Sequence, residues 1–114
     1  MITFLKNNDT VNQTSYHDIF IEAYKFLNLN VPNNIKNINN KDIIKDIPPP
    51  THIKIDVDGN ELDVLNALHV YLNSSSLKYI HIEISVNFEA IDSILKNYKF
   101  KCIRSIGENY LYEK

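Results

Sequence analysis

The sequence predicts an α/β protein: a parallel sheet that is covered by helices and ends in an antiparallel hairpin. Three observations support this fold class. From His52 onwards, short β-branched segments alternate with segments whose apolar residues recur at helical spacing. Their order is strand, helix, strand, helix, strand, which is typical of parallel strands joined by helices. The last two apolar segments are separated only by Gly107-Glu108-Asn109, a connection typical of a hairpin.

Composition excludes several other classes. The chain has 114 residues, enough for one domain or part of one, and 44% of them are hydrophobic, which argues against disorder. A net charge of −2, with scattered Lys and Arg, gives no support for a nucleic-acid partner. No apolar run approaches the roughly 20 residues that cross a membrane. Cys102 is the only cysteine and Met1–Lys6 lacks a signal-peptide pattern, so we expect a cytoplasmic protein.

Residues 1–49 are predicted to form a separate N-terminal segment of helix and loop. Met1–Leu5 is apolar and predicts a short strand, whereas Lys6–Thr14 is polar and turn-like. Apolar residues at helical spacing predict a helix over Asp18–Leu27. Asn28–Asn40 is Asn-rich and is typical of a loop, and Lys41–Ile47 predicts one or two further helical turns.

Residues 50–114 contain the regular alternation. Pro48-Pro49-Pro50 holds the chain extended and leads into the first strand. The long helix is predicted from a leucine stripe at helical spacing. The predicted elements are, in order, a strand at His52–Asp56, a helix at Glu61–Leu72, a strand at Leu77–Ile84, a helix at Phe88–Tyr98, a strand at Phe100–Ile106 and a strand at Tyr110–Tyr112.

Acidic side chains follow two of these strands. Asp56 and Asp58 come at the end of the first strand, and Gly59 permits a sharp turn before Glu61 opens the helix. Glu83 lies at the end of the next strand. Ligands of open α/β sheets bind outside the carboxyl ends of the strands. Asp56, Asp58 and Glu83 are therefore candidate catalytic or substrate-binding residues.

The same turn has structural alternatives. Asp58-Gly59-Asn60-Glu61 matches a helix capping box, in which Asp58 and Glu61 would bond the first-turn amides. A calcium loop of EF-hand type is excluded by register, because Glu61 falls at loop position 6, which requires Gly. Asp56 and Asp58 are a pair of oxygen ligands for a divalent cation, but no third ligand is evident, so no metal site is predicted.

One stretch of the chain resembles a known family. The string Ile53-Lys54-Ile55-Asp56-Val57-Asp58-Gly59-Asn60-Glu61, followed by Val64-Leu65 and then by Ile80-His81-Ile82-Glu83-Ile84, is similar to the carboxyl half of FkbM-type methyltransferases. The resemblance covers about Pro50–Lys114. It implies a Rossmann-like methyltransferase sheet, S-adenosylmethionine as cofactor, and O-methylation of a sugar or polyketide hydroxyl. The strand at His52–Asp56 would be the fourth of that sheet, and the last strand would be the antiparallel seventh.

The resemblance also implies roles for the acidic residues. Asp58 would act as base or would orient the acceptor, Asp56 would position it, and Glu83 would lie nearby. Glu61 would contribute to substrate binding. If transfer occurs, a carboxylate would remove the hydroxyl proton as oxygen attacks the sulfonium methyl.

The resemblance implies that the cofactor-binding half is missing. The family builds its cofactor pocket from the first strands with a Gly-rich turn, whereas Gly59 and Gly107 are the only glycines of this chain. We therefore expect a partial sheet that lacks the first cofactor-binding strands. Such a chain would be inactive alone, or would be completed by a homodimer or a partner chain that supplies the strands. The alternative is a non-catalytic interaction domain derived from half of the fold.

Overall fold

A computed structural model of the chain describes residues 1–7, 9–14 and 49–114. These residues form six strands and three helices. The strands are β1 (Ile2–Lys6), β2 (Asp9–Thr14), β3 (His52–Ile55), β4 (Tyr79–Glu83), β5 (Lys101–Ile106) and β6 (Asn109–Glu113). The helices are α1 (Glu61–Ala67), α2 (His69–Leu72) and α3 (Phe88–Asn97). The predicted helices at Asp18–Leu27 and Lys41–Ile47, and the loop between them, lie outside the described residues.

All six strands belong to one sheet, in the order β2-β1-β3-β4-β6-β5. β3 and β4 are parallel neighbours, while β6 lies between β4 and β5 and is antiparallel to both. The α/β class is confirmed, but the sheet is mixed rather than parallel, with one parallel pair among the described strands. The predicted antiparallel hairpin at Gly107 is confirmed. The sheet is mixed because β6 also pairs with β4, and because β1 and β2 add antiparallel strands beside β3.

The N-terminal segment adds a hairpin to the sheet. β1 pairs antiparallel with β3, so that Ile2 lies beside Ile55, and β2 pairs antiparallel with β1. The predicted strand at the N-terminus is therefore confirmed. The prediction that Lys6–Thr14 is a turn is wrong, because Asp9–Thr14 forms β2. β2 is one of the two outer strands of the described sheet and is held to it by pairing with β1.

The core lies between the sheet and the helices. One face of the sheet contributes residues that are at most 1% exposed, among them Ile53, Ile55, Ile80 and Ile82. The helices contribute Leu65, Leu68, Leu72, Ile91 and Leu95, also at most 1% exposed. A fully buried aliphatic side chain stabilises a fold by about 1.5–3 kcal/mol. Buried and exposed residues alternate along each strand. For this reason only one face of the sheet packs against the helices.

The helix predicted over Glu61–Leu72 is interrupted at Leu68. There the backbone leaves helical geometry, with φ −89° and ψ 7°, and separates α1 from α2. The Leu68 N–H still donates to the carbonyls of Val64 and Leu65, and the Leu68 side chain is fully buried. The predicted leucine stripe thus keeps its inward direction although the helix is divided.

Candidate functional site

The candidate site is the edge of the sheet at the carboxyl ends of β3 and β4. Asp56 follows β3 directly, and its N–H donates to the Met1 carbonyl at 3.0 Å. Val57 is 5% exposed and anchors the following turn in the core. Gly59 has φ +83°, a conformation that side chains with a Cβ rarely adopt. The chain is therefore forced to turn here, with the exposed Asp58 at the surface beside Asp56.

Asp56 and Glu83 come together at this edge. Their strands are parallel neighbours, and Ile55 lies beside Ile82, so the residues that follow each of them are adjacent. A hydrogen bond between the two carboxyl groups is the largest cause of a raised pKa for Glu83, and the charge of Asp56 is the second. Such a bond needs one proton between the two groups, which favours the protonated form of Glu83.

Two further carboxylates belong to the same electrostatic environment. Weaker contributions from Glu108 and then from Asp58 also raise the pKa of Glu83. Glu108 was missed in the sequence because it lies in the β5–β6 turn, far along the chain from the other acidic residues. The Ile84 N–H donates to the Glu108 carbonyl at 2.8 Å and brings that turn to the end of β4. The predicted return of β6 was the signal that could have placed Glu108 here.

Glu61 occupies a different environment from the other acidic residues. It is the first residue of α1 and is only 1% exposed, and its Oε1 has no hydrogen-bond partner among residues 1–7, 9–14 and 49–114. The capping-box alternative is wrong, because α1 begins at Glu61 with Asn60 as the N-cap residue, and no side chain caps it. In a capping box, Glu61 would be the third helical residue rather than the first. The predicted role of Glu61 in substrate binding stays a prediction.

Apolar side chains lie beside the acidic edge. Phe88 begins α3 just after β4 and is 40% exposed, and its ring lies 4.9 Å from that of Tyr110. Val86, in the same connection, is 50% exposed. Tyr110 lies beside the buried Ile82 across β4 and β6, so this aromatic pair belongs to the helix side of the sheet, whereas Glu83 alternates to the opposite face.

The described residues offer no metal centre and no membrane span. Among residues 1–7, 9–14 and 49–114, no group of three or more His, Cys, Asp and Glu side chains is arranged to hold a metal ion. No helix in the described part of the chain is long and apolar enough to cross a membrane.

The fold and this edge define a mixed α/β domain with clustered carboxyl groups at the ends of two parallel strands. Comparison of the chain with family models, with curated proteins and with solved structures finds no match. The function proposed below therefore rests on the sequence resemblance and on the geometry of this edge.

Proposed function

We propose that the chain is a domain derived from the carboxyl half of an FkbM-type methyltransferase, and that it keeps the acceptor-binding edge without a cofactor site of its own. In this proposal the edge formed by Asp56, Asp58 and Glu83 binds a hydroxyl-bearing molecule such as a sugar. The chain by itself does not transfer a methyl group.

The single observation that carries the proposal is the pairing of Asp56 with Glu83 across two parallel strands. These residues belong to the two segments on which the sequence resemblance rests. Two supporting features are the parallel β3–β4 pair and the antiparallel β6, since the resemblance implies an antiparallel last strand. Convergence of separate acidic positions at a strand-end edge is what a ligand site in such a sheet requires.

The residues present do not fit S-adenosylmethionine. The resemblance expects cofactor-binding strands before the fourth strand, with a Gly-rich turn that admits the cofactor. Here β1 pairs with β3 on the side away from β4, in the antiparallel direction, and no glycine precedes Gly59. The β1–β2 hairpin contributes no Gly-rich turn at the helix N-terminus that could receive the cofactor. This mismatch supports a domain that is inactive alone.

The acidic edge suits hydroxyl groups. Ionised carboxylates accept hydrogen bonds and cannot donate them, so they bind O–H donors well. The Asp56 carboxyl group raises the pKa of Glu83, which favours the protonated form of Glu83 that can donate.

Chemical-shift mapping tests the acceptor site. The ¹⁵N-labelled chain is titrated with a panel of methyl hexopyranosides, and we expect saturable shifts at the amides around Asp56, Asp58 and Glu83. Asp58→Asn should weaken that binding, whereas Asp63→Asn, on the helix that follows, should not. Absence of shifts at this edge with every glycoside, or equal effects of the two substitutions, would contradict the proposal.

The second candidate is a non-catalytic interaction domain. It is favoured by β1, which occupies the edge of β3 at which a partner chain would have to add strands. The outer strands of the described sheet are β2 and β5, so a homodimer that forms by pairing of strand edges would use one of them. Light scattering coupled to size exclusion gives the oligomeric state: a dimer that survives Asp56→Asn and Asp58→Asn would favour this candidate.

A further inference from the structure

We propose a second ligand site on the sheet face opposite the helices, which takes a small aromatic monocarboxylate. The site is the groove formed by two adjoining cavities of about 260 Å³ and 200 Å³. His81 and Leu111 line both cavities, so the cavities adjoin at these two side chains. Pockets for small ligands usually have volumes of roughly 300–1,000 Å³, and the two cavities together reach that range.

Strand register builds the floor of this groove. Lys54 lies beside His81 across β3 and β4, His81 beside Leu111 across β4 and β6, and Leu111 beside Arg104 across β6 and β5. These four residues form a single row across the sheet, on the face away from the core. Neighbouring strands are about 4.8 Å apart, so the row spans about 14 Å from Lys54 to Arg104.

The charged residues that line the groove favour an anionic ligand. Arg104 and Lys54 are exposed cations at opposite ends of the row, and neither forms a salt bridge within the described residues. No Asp or Glu from the described part of the chain lines either cavity. Two carboxyl groups lie on the same face beside the groove without lining it: Glu83 is two residues from His81 and interacts with Asp56, and Glu113 is two residues from Leu111.

The spacing of the cations selects a monocarboxylate. Arg104 presents a planar set of donors that matches a carboxylate in two parallel hydrogen bonds. A phosphate dianion is favoured where several cations converge, whereas here Lys54 and Arg104 are three strands apart. We therefore place the carboxylate at Arg104.

The residues in the middle of the groove favour an aromatic ligand. Leu111 and His81 offer an apolar and a ring surface next to Arg104, and both are half-buried. In the second cavity, the rings of His52 and Tyr79 are stacked, with centroids 4.9 Å apart and an interplanar angle of 21°. His52 and Tyr79 lie in the neighbouring row, two residues along the strands from Lys54 and His81, so a flat ligand that extends from Arg104 past Leu111 has these rings beside its far half.

The test uses 4-biphenylcarboxylate and its neutral analogue 4-biphenylcarboxamide, with the whole ¹⁵N-labelled chain. We expect saturable amide shifts at His81, Leu111 and Arg104 with the carboxylate, and at least fivefold weaker binding of the carboxamide. Arg104→Gln should weaken carboxylate binding about fivefold, as expected for loss of one partly solvated ion pair. Lys101→Gln is the matched control, because Lys101 lies on the same strand and lines neither cavity.

Four outcomes would overturn this inference. They are no shifts on the row, equal binding of the carboxamide, equal effects of Arg104→Gln and Lys101→Gln, or tighter binding of biphenyl phosphate than of the carboxylate. Thermal unfolding of both variants confirms that each is folded before its binding is compared. The glycoside titration follows amides near Asp56 and Asp58, whereas the carboxylate titration follows amides on the row that ends at Arg104. A failure of one proposal can therefore be told apart from a failure of the other.

Discussion

Tyr112→Phe is expected to lower the free energy of unfolding by about 2 kcal/mol. Tyr112 is fully buried, and its hydroxyl donates to Oδ1 of Asp92 at 2.7 Å. This bond ties β6, the strand between β4 and β5, to α3. A hydrogen bond to a charged group contributes about 1.5–3 kcal/mol. Phenylalanine keeps the ring and its packing, so the loss measures the hydroxyl bond.

Tyr112→Phe is also expected to lower the melting temperature. The entropy of unfolding is about 2.1 cal/mol/K per residue, so for 114 residues a loss of about 2 kcal/mol lowers Tm by about 8 °C. The assay is urea and thermal unfolding followed by circular dichroism. Tyr98→Phe is the control, because Tyr98 is half-buried and its hydroxyl has no hydrogen bond within the described residues. A loss of less than about 0.5 kcal/mol for Tyr112→Phe, or one equal to the control, would refute the reasoning.

The loss of stability caused by Tyr112→Phe should also depend on pH. The hydrogen bond from Lys96 is the largest cause of a lowered pKa for Asp92, and the bond from Tyr112 adds to it, while partial burial opposes both. The folded-state pKa therefore lies below the ordinary value of 3.8. The stabilisation that ionised Asp92 provides is fully present above its ordinary pKa. It is lost as the pH falls through the lower folded-state pKa of Asp92. We expect the difference between wild type and Tyr112→Phe to shrink accordingly in acid.

Substitutions at three further positions have defined outcomes. Asp56→Asn should lower the pKa of Glu83 toward its ordinary value of 4.5, because the carboxyl hydrogen bond and the neighbouring charge are both removed; carboxyl ¹³C titration measures it. Glu61→Met should raise the free energy of unfolding by about 1 kcal/mol, because a buried oxygen without a partner is removed. Gly59→Ala should lower the free energy of unfolding by about 1–2 kcal/mol, because alanine rarely adopts the φ of +83° found at Gly59. Gly59→Asn should lower it by less. Urea unfolding measures the changes in stability at both positions.

Each of these has a contradicting result. An unchanged pKa of Glu83 in Asp56→Asn would mean that the two carboxyl groups do not share a proton. A loss of stability in Glu61→Met would mean that the buried carboxylate has a partner that stabilises the fold. Equal stability of Gly59→Ala and wild type would mean that the turn after Asp58 does not need a positive φ.

Most of the second half of the fold could be predicted from local patterns. The alternation Ile53, Ile55 and Ile80, Ile82 predicts strands with one buried face, and both strands are found with that face in the core. The leucine stripe predicts the buried side of α1 and α2. These features depend only on the periodicity of neighbouring residues, which is why the sequence reveals them.

Pairing between distant strands was harder to predict. β2 has little apolar periodicity and exists because it pairs with β1, which local patterns do not show. The position of β6 between β4 and β5 depends on the hairpin at Gly107 and on packing of the Tyr112 ring against the core. Propensity alone does not determine such long-range pairing.

The candidate site was predicted in part. Asp56 and Glu83 meet because their strands are parallel neighbours, as the strand–helix–strand order predicts. Glu108 joins them through a backbone hydrogen bond that the sequence gives no direct sign of. The burial of Glu61 depends on how the helix packs onto the sheet, and the opening residues of the helix suggested a cap instead.

Calorimetric titration of the isolated chain with S-adenosylmethionine tests the central claim most directly. The claim is that the domain keeps an acceptor edge but, with β1 paired to β3, has no site for the cofactor. We expect no saturable heat with cofactor concentrations up to the millimolar range. Saturable one-to-one binding with a micromolar dissociation constant would contradict the claim.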